Sequence, residues 1–595
     1  MKEHLSTMFF ERSIRYGNRD VFKYRRGTET EYKSIHWSEA ASQIRDVSKA
    51  LISLGFNKFD NIGIFSDNRP EWTIADFGIL CIRGVVVPFY ATSSKQQLKY
   101  VADETKMRLI FVGNKEQYEK ALWLLENSDT LKTIVTFEPG LALGNDSCID
   151  WTTFCNLGKN KDYTTELSAF EAEANTDDLA TIIYTSGTTG EPKGVMMTHS
   201  MFFYCFRIHN ERLDLDESDI SACFLPLSHV FERTWTYYIL YNGATNTYIE
   251  NPRDIIKQLP KIKPTVMCAV PRFFEKTYEG IQLELSKWPS IKQKIFNWSI
   301  KIGKTHSEYL SKAQQPPRGI KFKHVIADKL VLSKLRKILG GNIKFMPCAG
   351  AAISPSLLRF FHAAGIFITY GYGATETTAT VSCFRNKRYN FETCGTIMPG
   401  IDVKISNEGE ILIKGGTVFK GYYNKPEESS RTLKDGWYYT GDQGSITPTG
   451  ELIMTDRIKD LIKTSVGKYV SPQKLELLLG TDPFIEQIIV IGDNRKFVTA
   501  LIVPAFETLK KEAEKLGLKP MENADLVRND EIARFFEKRI DLLQVELTPY
   551  EKIVKFTLLA EPFSIQNGML TNTLKVRRKV LAEHYAHEVE KMYLA

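Results

Sequence analysis

The chain has 595 residues, 43% hydrophobic and 25% charged, with a net charge of +7. At roughly 100–200 residues per folding unit, that length predicts three to five units. An ordinary composition without low-complexity tracts excludes a disordered or fibrous protein, and the lack of a long basic block argues against a nucleic-acid binder. The densest short basic cluster, "KVRRKV" at Lys575–Val580, reads as a solvated helix face.

The opening "MKEHLSTMFFERSIRYG" lacks the apolar stretch of a signal peptide. Its apolar residues recur at helical spacing, which predicts a core-facing first helix or, alternatively, a shallow membrane contact. Short β-like runs follow: "NIGIF", "RLIFV", "LATIIYT", "PTVMCAV", "NIKFMPCAG" and "GIFITYGYG". Each ends near Gly, Ser or Pro and precedes a candidate amphipathic helix, the alternation of parallel α/β sheets. From about Thr393 to Thr455, "VKISNEGEILIKGG" and "GSITPTGELIMT" predict a smaller antiparallel β unit. Mixed α/β texture resumes after "DRIKDLIKTSVGKYVSP", so a domain boundary is placed near Arg457–Lys459. No window approaches ~18 uninterrupted apolar residues, so no spanning helix is expected. Nine cysteines without a CxxC pair or zinc-type spacing read as reduced, mostly buried thiols of a cytoplasmic protein.

The stretch "YTSGTTGEPKGV", Tyr184–Val195, sets glycines, hydroxyls and one lysine between apolar runs. It does not fit the NTPase phosphate loop, which has four residues between its glycines and Lys-Ser/Thr after the second. Gly187 and Gly190 are two residues apart and Lys193 is followed by Gly194. The surroundings predict strand–loop–strand. Gly187 and Gly190 can turn successive N–H groups inward as an anion nest, Ser186, Thr188 and Thr189 add hydroxyl donors, and Lys193 adds a positive charge. The bland alternative is a Ser/Gly-rich surface turn.

This stretch resembles the signature loop of the adenylate-forming superfamily, which includes acyl-CoA synthetases, luciferases and peptide-synthetase adenylation domains. Further stretches resemble the family's other motifs, in family order: "LPLSHVFER", "CAGAAISP", "YGYGATET", "DGWYYTGD", "DRIKDLIK" and "TNTLKVRRK". The resemblance covers nearly the whole chain. It implies a large N-terminal domain, 1–457, of two doubly wound α/β subdomains plus a small β-barrel-like subdomain, then a small mobile α+β domain, 458–595.

The resemblance also assigns residues. Glu376 and Thr185 would hold Mg²⁺, which with a nucleotide needs only one or two protein ligands. Asp442 offers an acceptor-only carboxylate to the ribose hydroxyls, with Arg457 donating nearby. Gly350, Ala351 and Ala352, with Gly371, Gly373, Ala374 and Thr375, are small enough for backbone to approach adenine, and Tyr372 would stack on it. Lys575 would bridge the attacking carboxylate and the α-phosphate as charge builds. Leu574 stands where the family often has Gly, a mark of the long-chain branch. Lys193 and His229 complete the catalytic set, His229 shaping the acyl pocket. Lys459 would be the hinge on which the C-terminal domain rotates, and Lys463 and Gly467 would line the thiol entrance. His584 and His587 lack a third ligand by sequence and read as surface.

The implied activity is a two-step ligation using ATP, Mg²⁺ and coenzyme A as co-substrate. A fatty acid's carboxylate attacks the α-phosphate, releasing pyrophosphate, and a thiol then displaces AMP. "SHVFERTW", "PRFFEKTYEGI" and the extended stretch Gln282–Val331 resemble the long-chain fatty acyl-CoA synthetases. The apolar residues of that stretch fit a tunnel wall or an ordinary core helix. A fatty acyl-AMP ligase serving a carrier-protein thiol is the alternative. The resemblance allows peripheral contact with the inner face of a membrane.

Overall fold

The first helix, Leu5–Tyr16, buries Leu5, Met8, Phe9 and Phe10. Phe9 packs between Trp37 and Phe77, at ring-centroid distances of 4.9 and 4.8 Å. Its apolar face is therefore core, not membrane contact. The computed structural model describes residues 3–27, 29–141, 145–185, 191–465, 467–571 and 575–594.

Seven strands form the largest sheet, in spatial order Cys148–Asp150, Thr133–Thr136, Leu109–Val112, Asn61–Phe65, Val85–Phe89, Leu179–Thr185 and Lys193–Thr198. All neighbours are parallel except the last pair. Near-continuous burial along Leu109–Val112 and Val85–Phe89 is what a parallel sheet covered on both faces requires. Two covering helices, Lys95–Thr105 and Lys115–Asn127, start at capping boxes built by Ser94 with Gln97 and Asn114 with Gln117. Leu98, Ala121 and Leu124 from these helices share a core with Ile110, Ile134 and Ile182.

Two four-stranded sheets accompany it: Ile220–Cys223, Thr245–Tyr248, Asp20–Tyr24 and Lys33–His36; and Met346–Cys348, Ile368–Tyr372, Ser382–Cys383 and Thr396–Ile397. "PTVMCAV", expected as a strand, differs. It touches its neighbours only through isolated bridges, Val266 to Ser221 and Phe345, and Ala269 to Cys348. Its backbone bonds are spaced, Val266 N–H to Ile220 O at 3.2 Å and Ala269 N–H to Pro347 O at 2.9 Å. The segment thereby joins the two sheets within the first of the two compact units into which the chain divides, fewer than the three to five expected from length.

The first unit comprises Met1–Gly350, Leu358–Val403 and Leu412–Tyr439, and the second Ala351–Leu357, Lys404–Ile411 and Thr440–Ala595. The smaller β unit expected before residue 455 is present, with strands Asp402–Ile405, Glu410–Lys414, Trp437–Ile446 and Leu452–Arg457, the last two pairing antiparallel. In the second unit, Ile485–Ile491, Val498–Pro504 and Ile553–Leu558 form a three-stranded sheet. Alternation fills both of its faces: Ile488, Val490, Ala500 and Ile502 enter one core, Ile489, Leu501 and Val503 the other.

The extended stretch forms the helices Ser290–Ser311 and Arg318–Ala327. The expectation that its bulky side chains serve a core or tunnel holds for Phe296 and Ile300 and fails for Ile291, Trp298, Phe322 and Val325, which are exposed. All nine cysteines are free, seven of them buried. Among the described residues, no helix is long and apolar enough to cross a membrane.

Candidate active site

In the first unit, Leu179–Thr185 and Lys193–Thr198 pair in antiparallel register, Thr185 opposite Lys193 and Tyr184 opposite Gly194. This is the predicted strand–loop–strand frame. Ser186, Gly187, Thr188, Thr189 and Gly190 lie outside the described residues. The outer edge of the Lys193 strand is covered by "FKGYY", residues 419–423: Met196 N–H donates to Gly421 O at 3.1 Å and Tyr423 N–H to Gly194 O at 2.8 Å. The same segment reaches the predicted metal ligand, since Phe419 N–H donates to Glu376 O at 2.9 Å and the Tyr422 hydroxyl to Glu376 Oε1 at 2.9 Å. The Lys193 ammonium lies 5.3 Å from the Tyr422 ring centre and pairs with the Glu428 carboxylate. Burial and the neighbouring Glu376 carboxylate push the Tyr422 hydroxyl's pKa well up, so it stays a donor. Tyr422 and Glu428 thus tie Thr185, Lys193 and Glu376 into one polar cluster. Neither was foreseen, because no spacing signal links them to the loop.

Glu376 rides a short 3₁₀ turn, Thr375–Thr377, that follows the strand Ile368–Tyr372. The turn is pinned by Ala374 N–H to Thr377 Oγ1 at 2.9 Å and by Thr378 Oγ1–H to Thr417 O at 2.8 Å. Thr378 and Ala379 both take left-handed φ, 51° and 61°, a conformation costly for non-glycine residues and concentrated at functional sites. A Cβ on Gly371 would come within 2.3 Å of Ser382 O, and one on Gly373 within 2.2 Å of Ala379 O. Close packing of the protein's own backbone therefore demands these two glycines.

His229 is the N-cap of the helix Val230–Tyr241, its Nδ1 accepting from Phe231 N–H at 3.2 Å. That helix lines a small apolar cavity of about 50 Å³ together with Tyr372, Cys348, His209 and Thr380. Phe231, Thr234 and Trp235 form its helical wall. Burial holds the His209 pKa down at about 4, so its ring is neutral there. The helix is locked by "ER" of the motif. Arg233, fully buried, pairs with Asp76 and donates to Tyr237 Oη at 3.0 Å and Thr181 Oγ1 at 2.6 Å. Glu232, equally buried, accepts from Leu225 N–H at 3.0 Å, and burial raises its pKa to about 8.

Gly350 closes this part of the first unit at φ 92°. Ala351 and Ala352, which begin the second unit, are exposed and half-buried. There Asp442 and Arg457, fifteen residues apart, are cross-strand partners, with Arg457 Nε 3.5 Å from Asp442 Oδ1. Gly441, at φ 72°, donates its N–H to Glu410 Oε1 at 2.7 Å and sets the turn into Asp442. Lys459 is exposed in a turn held by Asp460 N–H to Arg457 O at 2.9 Å. The turn's entry is anchored by Asp456, which accepts from Ser471 Oγ at 2.7 Å. Lys463 begins a small hairpin, Ile462–Lys463 against Tyr469–Val470, whose bend uses Gly467 at φ 77°.

Lys575 stands at the end of another hairpin. Thr571 N–H donates to Lys575 O at 2.8 Å and Arg577 N–H to Met569 O at 2.9 Å. Its base is fixed by Arg578, which forks onto Glu476 at 2.6 and 3.1 Å and onto Val490 O at 2.8 Å. "KVRRKV" is thus not wholly a solvated face. Arg578 holds the catalytic candidate's hairpin to the second unit's core, a role that needs a partner a hundred residues away.

The fold is that of adenylation domains. The A domain of a carboxylate reductase from Mycobacterium chelonae superposes with a TM-score of 0.81 at 21% identity, over 100% of this chain and 91% of that one. The A domain of a carboxylic acid reductase from Segniliparus rugosus, solved with AMP and a co-purified carboxylic acid, gives 0.78 at 21% identity over 99% and 94%. The AMP-binding enzyme family matches residues 9–423, and the AMP-binding enzyme C-terminal domain matches 459–595. The chain belongs to this AMP-binding enzyme family. Long-chain-fatty-acid–CoA ligase FadD15 of Mycobacterium tuberculosis is 32% identical over 99% of this chain and 97% of its own length. Long-chain-fatty-acid–CoA ligase 5 of Rattus norvegicus is 31% identical over 94% and 84%.

Proposed function

We propose that the chain is a long-chain fatty acid–CoA ligase, forming an acyl-adenylate from a fatty acid and ATP and then the acyl-CoA thioester. The observation that carries this reading is full-length similarity to long-chain-fatty-acid–CoA ligases, together with an apolar pocket beside Tyr372. A carboxylate is a poor electrophile. Its oxygen attacks the α-phosphorus, the bond to the bridging oxygen breaks and pyrophosphate leaves. The CoA thiol sulfur then attacks the acyl carbon and AMP departs with the electron pair. The protein's task is positioning and charge neutralisation.

In this reading Lys193, Thr185 and the loop Ser186–Gly190 bind phosphates, and Asp442 with Arg457 binds the ribose. Gly350–Ala352, Gly371, Tyr372, Gly373, Ala374 and Thr375 face the adenine, and Lys575 neutralises the reacting carboxylate and α-phosphate. His229 shapes the acyl end. Lys459 serves as hinge between domains 1–457 and 458–595, with Lys463 and Gly467 on the CoA side. Among the described residues no group of three or more His, Cys, Asp or Glu could hold a metal. The hard oxygens of Glu376 and Thr185 fit an ion that arrives with nucleotide phosphates, such as Mg²⁺, which would supply charge neutralisation.

The test is pyrophosphate release and thioester formation with acetate, octanoate, palmitate and oleate, with and without CoA. Release with palmitate or oleate and a CoA-dependent thioester is expected, and Lys575→Ala should lower the first step by about 10²–10³-fold. Adenylate without thioester would shift the acceptor to a carrier protein. An unchanged first step in Lys575→Ala would remove that lysine from catalysis.

A further inference from the structure

Between Lys287 and Lys337 the sequence holds thirteen Lys and Arg against two acids, a net +11 in a chain whose total is +7. The remaining residues therefore carry −4. The excess is spread over 51 residues, so no short window displays it. The same 51 residues carry nine of the 22 large apolar side chains exposed among the described residues: Trp288, Ile291, Ile295, Trp298, Leu310, Phe322, Val325, Ile326 and Leu330. A monomeric surface leaves such residues scattered singly, so this concentration calls for an explanation.

Their arrangement is ordered. In the helix Ser290–Ser311, Ile291, Ile295 and Trp298 follow at spacings of four and three and form one outward stripe, Ile291 being 73% exposed. The opposite face is committed to the core: Phe296, Ser299 and Ile300 are buried, and a Cβ on Gly303 would come within 2.3 Å of Ala363 O. The helix cannot roll to hide its stripe. In the helix Arg318–Ala327, Phe322, Val325 and Ile326 repeat the pattern at spacings of three and four, with Phe322 69% exposed. The two helices meet through the stacked rings of His306 and His324, 3.9 Å apart. Lys292, Lys294 and Lys301 interleave with the first stripe, and Lys321, Lys323 and Lys329 with the second.

We propose that this two-helix face docks on an anionic lipid bilayer, with Ile291, Ile295, Trp298, Phe322 and Val325 entering the headgroup–acyl boundary and the lysines contacting lipid phosphates. Trp, Phe and Ile beside Lys on one helix face are the side chains that partition to that interface. Charge selects the occupant. A second copy would bring +11 against +11, and a nucleic acid would leave the apolar stripes in water. An anionic bilayer satisfies both components. The idea rests on the ligase reading only for its purpose: a long-chain acid partitions into membranes, and docking would draw substrate from them.

The full chain is tested by co-sedimentation with vesicles of phosphatidylcholine alone and with about one-third phosphatidylglycerol, at about 0.1 M and about 0.5 M salt. Binding to anionic vesicles at low salt is expected, at least about tenfold weaker on neutral vesicles and at high salt. Trp298→Glu with Phe322→Glu, and separately Lys294→Glu with Lys301→Glu, should each weaken it at least about tenfold. Both positions of each pair are solvent-facing, so circular dichroism and octanoate-dependent pyrophosphate release without vesicles should stay unchanged. Wild-type protein that remains in the supernatant, or variants that sediment as wild type does, would overturn the proposal. So would a wild-type dimer by sedimentation velocity that Phe322→Glu converts to monomer. Loss of pyrophosphate release on every acid, with vesicle binding intact, would instead refute the ligase reading.

Discussion

Glu232→Gln isolates the consequence of placing a carboxyl in the core behind the pocket helix. Glu232 is fully buried, and its contacts through Oε2 are Leu225 N–H at 3.0 Å and the Cys268 thiol at 3.4 Å. No cation is among them. Arg233 next to it is turned to Asp76 and Tyr237. Burial therefore dominates, raising the pKa from an ordinary 4.5 to about 8, and the side chain is neutral at pH 7. The folded state holds a proton that the unfolded chain releases above pH 4.5. Stability is full below that pH, declines as pH rises and is lost through about pH 8. At about 1.4 kcal/mol per pH unit, the whole loss has a ceiling of roughly 5 kcal/mol. Gln has the neutral form's shape and no titration. The variant should match wild type within about 1 kcal/mol below pH 5 and exceed it progressively to pH 9. Urea midpoints of the first unfolding transition for both proteins from pH 5 to 9 provide the measurement. All other titrating groups cancel in the difference. Parallel curves would show that Glu232 is not held neutral and refute the reasoning.

Glu428→Gln should lower KM for MgATP by up to about fivefold, because a half-exposed ion pair of about 1 kcal/mol no longer competes for the Lys193 ammonium; steady-state kinetics with ATP varied would reveal an unchanged or raised KM if that pair does not compete. Arg578→Ala should lower kcat of the adenylation step by about tenfold or more with KM for ATP little changed, and destabilise the second unit by about 2 kcal/mol, since Glu476 loses its forked partner. Arg578→Lys, which restores charge but not the fork, should recover part of the stability and part of kcat. A kcat equal to wild type in Arg578→Ala would mean the Lys575 hairpin holds its position without that anchor.

Local rules legible in the sequence carried the element types. Period-3.6 spacing marks Leu5–Tyr16 as a helix, with its burial left to the tertiary structure, and short apolar runs between turn residues mark Leu109–Val112 and Leu179–Thr185 as strands. The loop's glycines and hydroxyls between apolar runs point to strand–loop–strand, and motif order names Glu376, Asp442 and Lys575. These are properties of neighbouring residues, fixed by backbone sterics and helical or pleated periodicity. What depends on distant partners was decided only by the tertiary structure. "PTVMCAV" looks like a strand locally but is divided between two sheets whose strands it merely bridges. Tyr422 and Glu428 gain meaning from Lys193 and Glu376, and Arg578 from Glu476. Whether Trp298 and Phe322 are buried could not follow from spacing, because a helix with two apolar stripes has one for the core and one to spare. Packing of Gly303 against Ala363 chose which stripe went inside. Sequence by itself thus determined the elements and the family's motifs. Long-range packing determined which side chains they place together and which face the protein leaves for a partner.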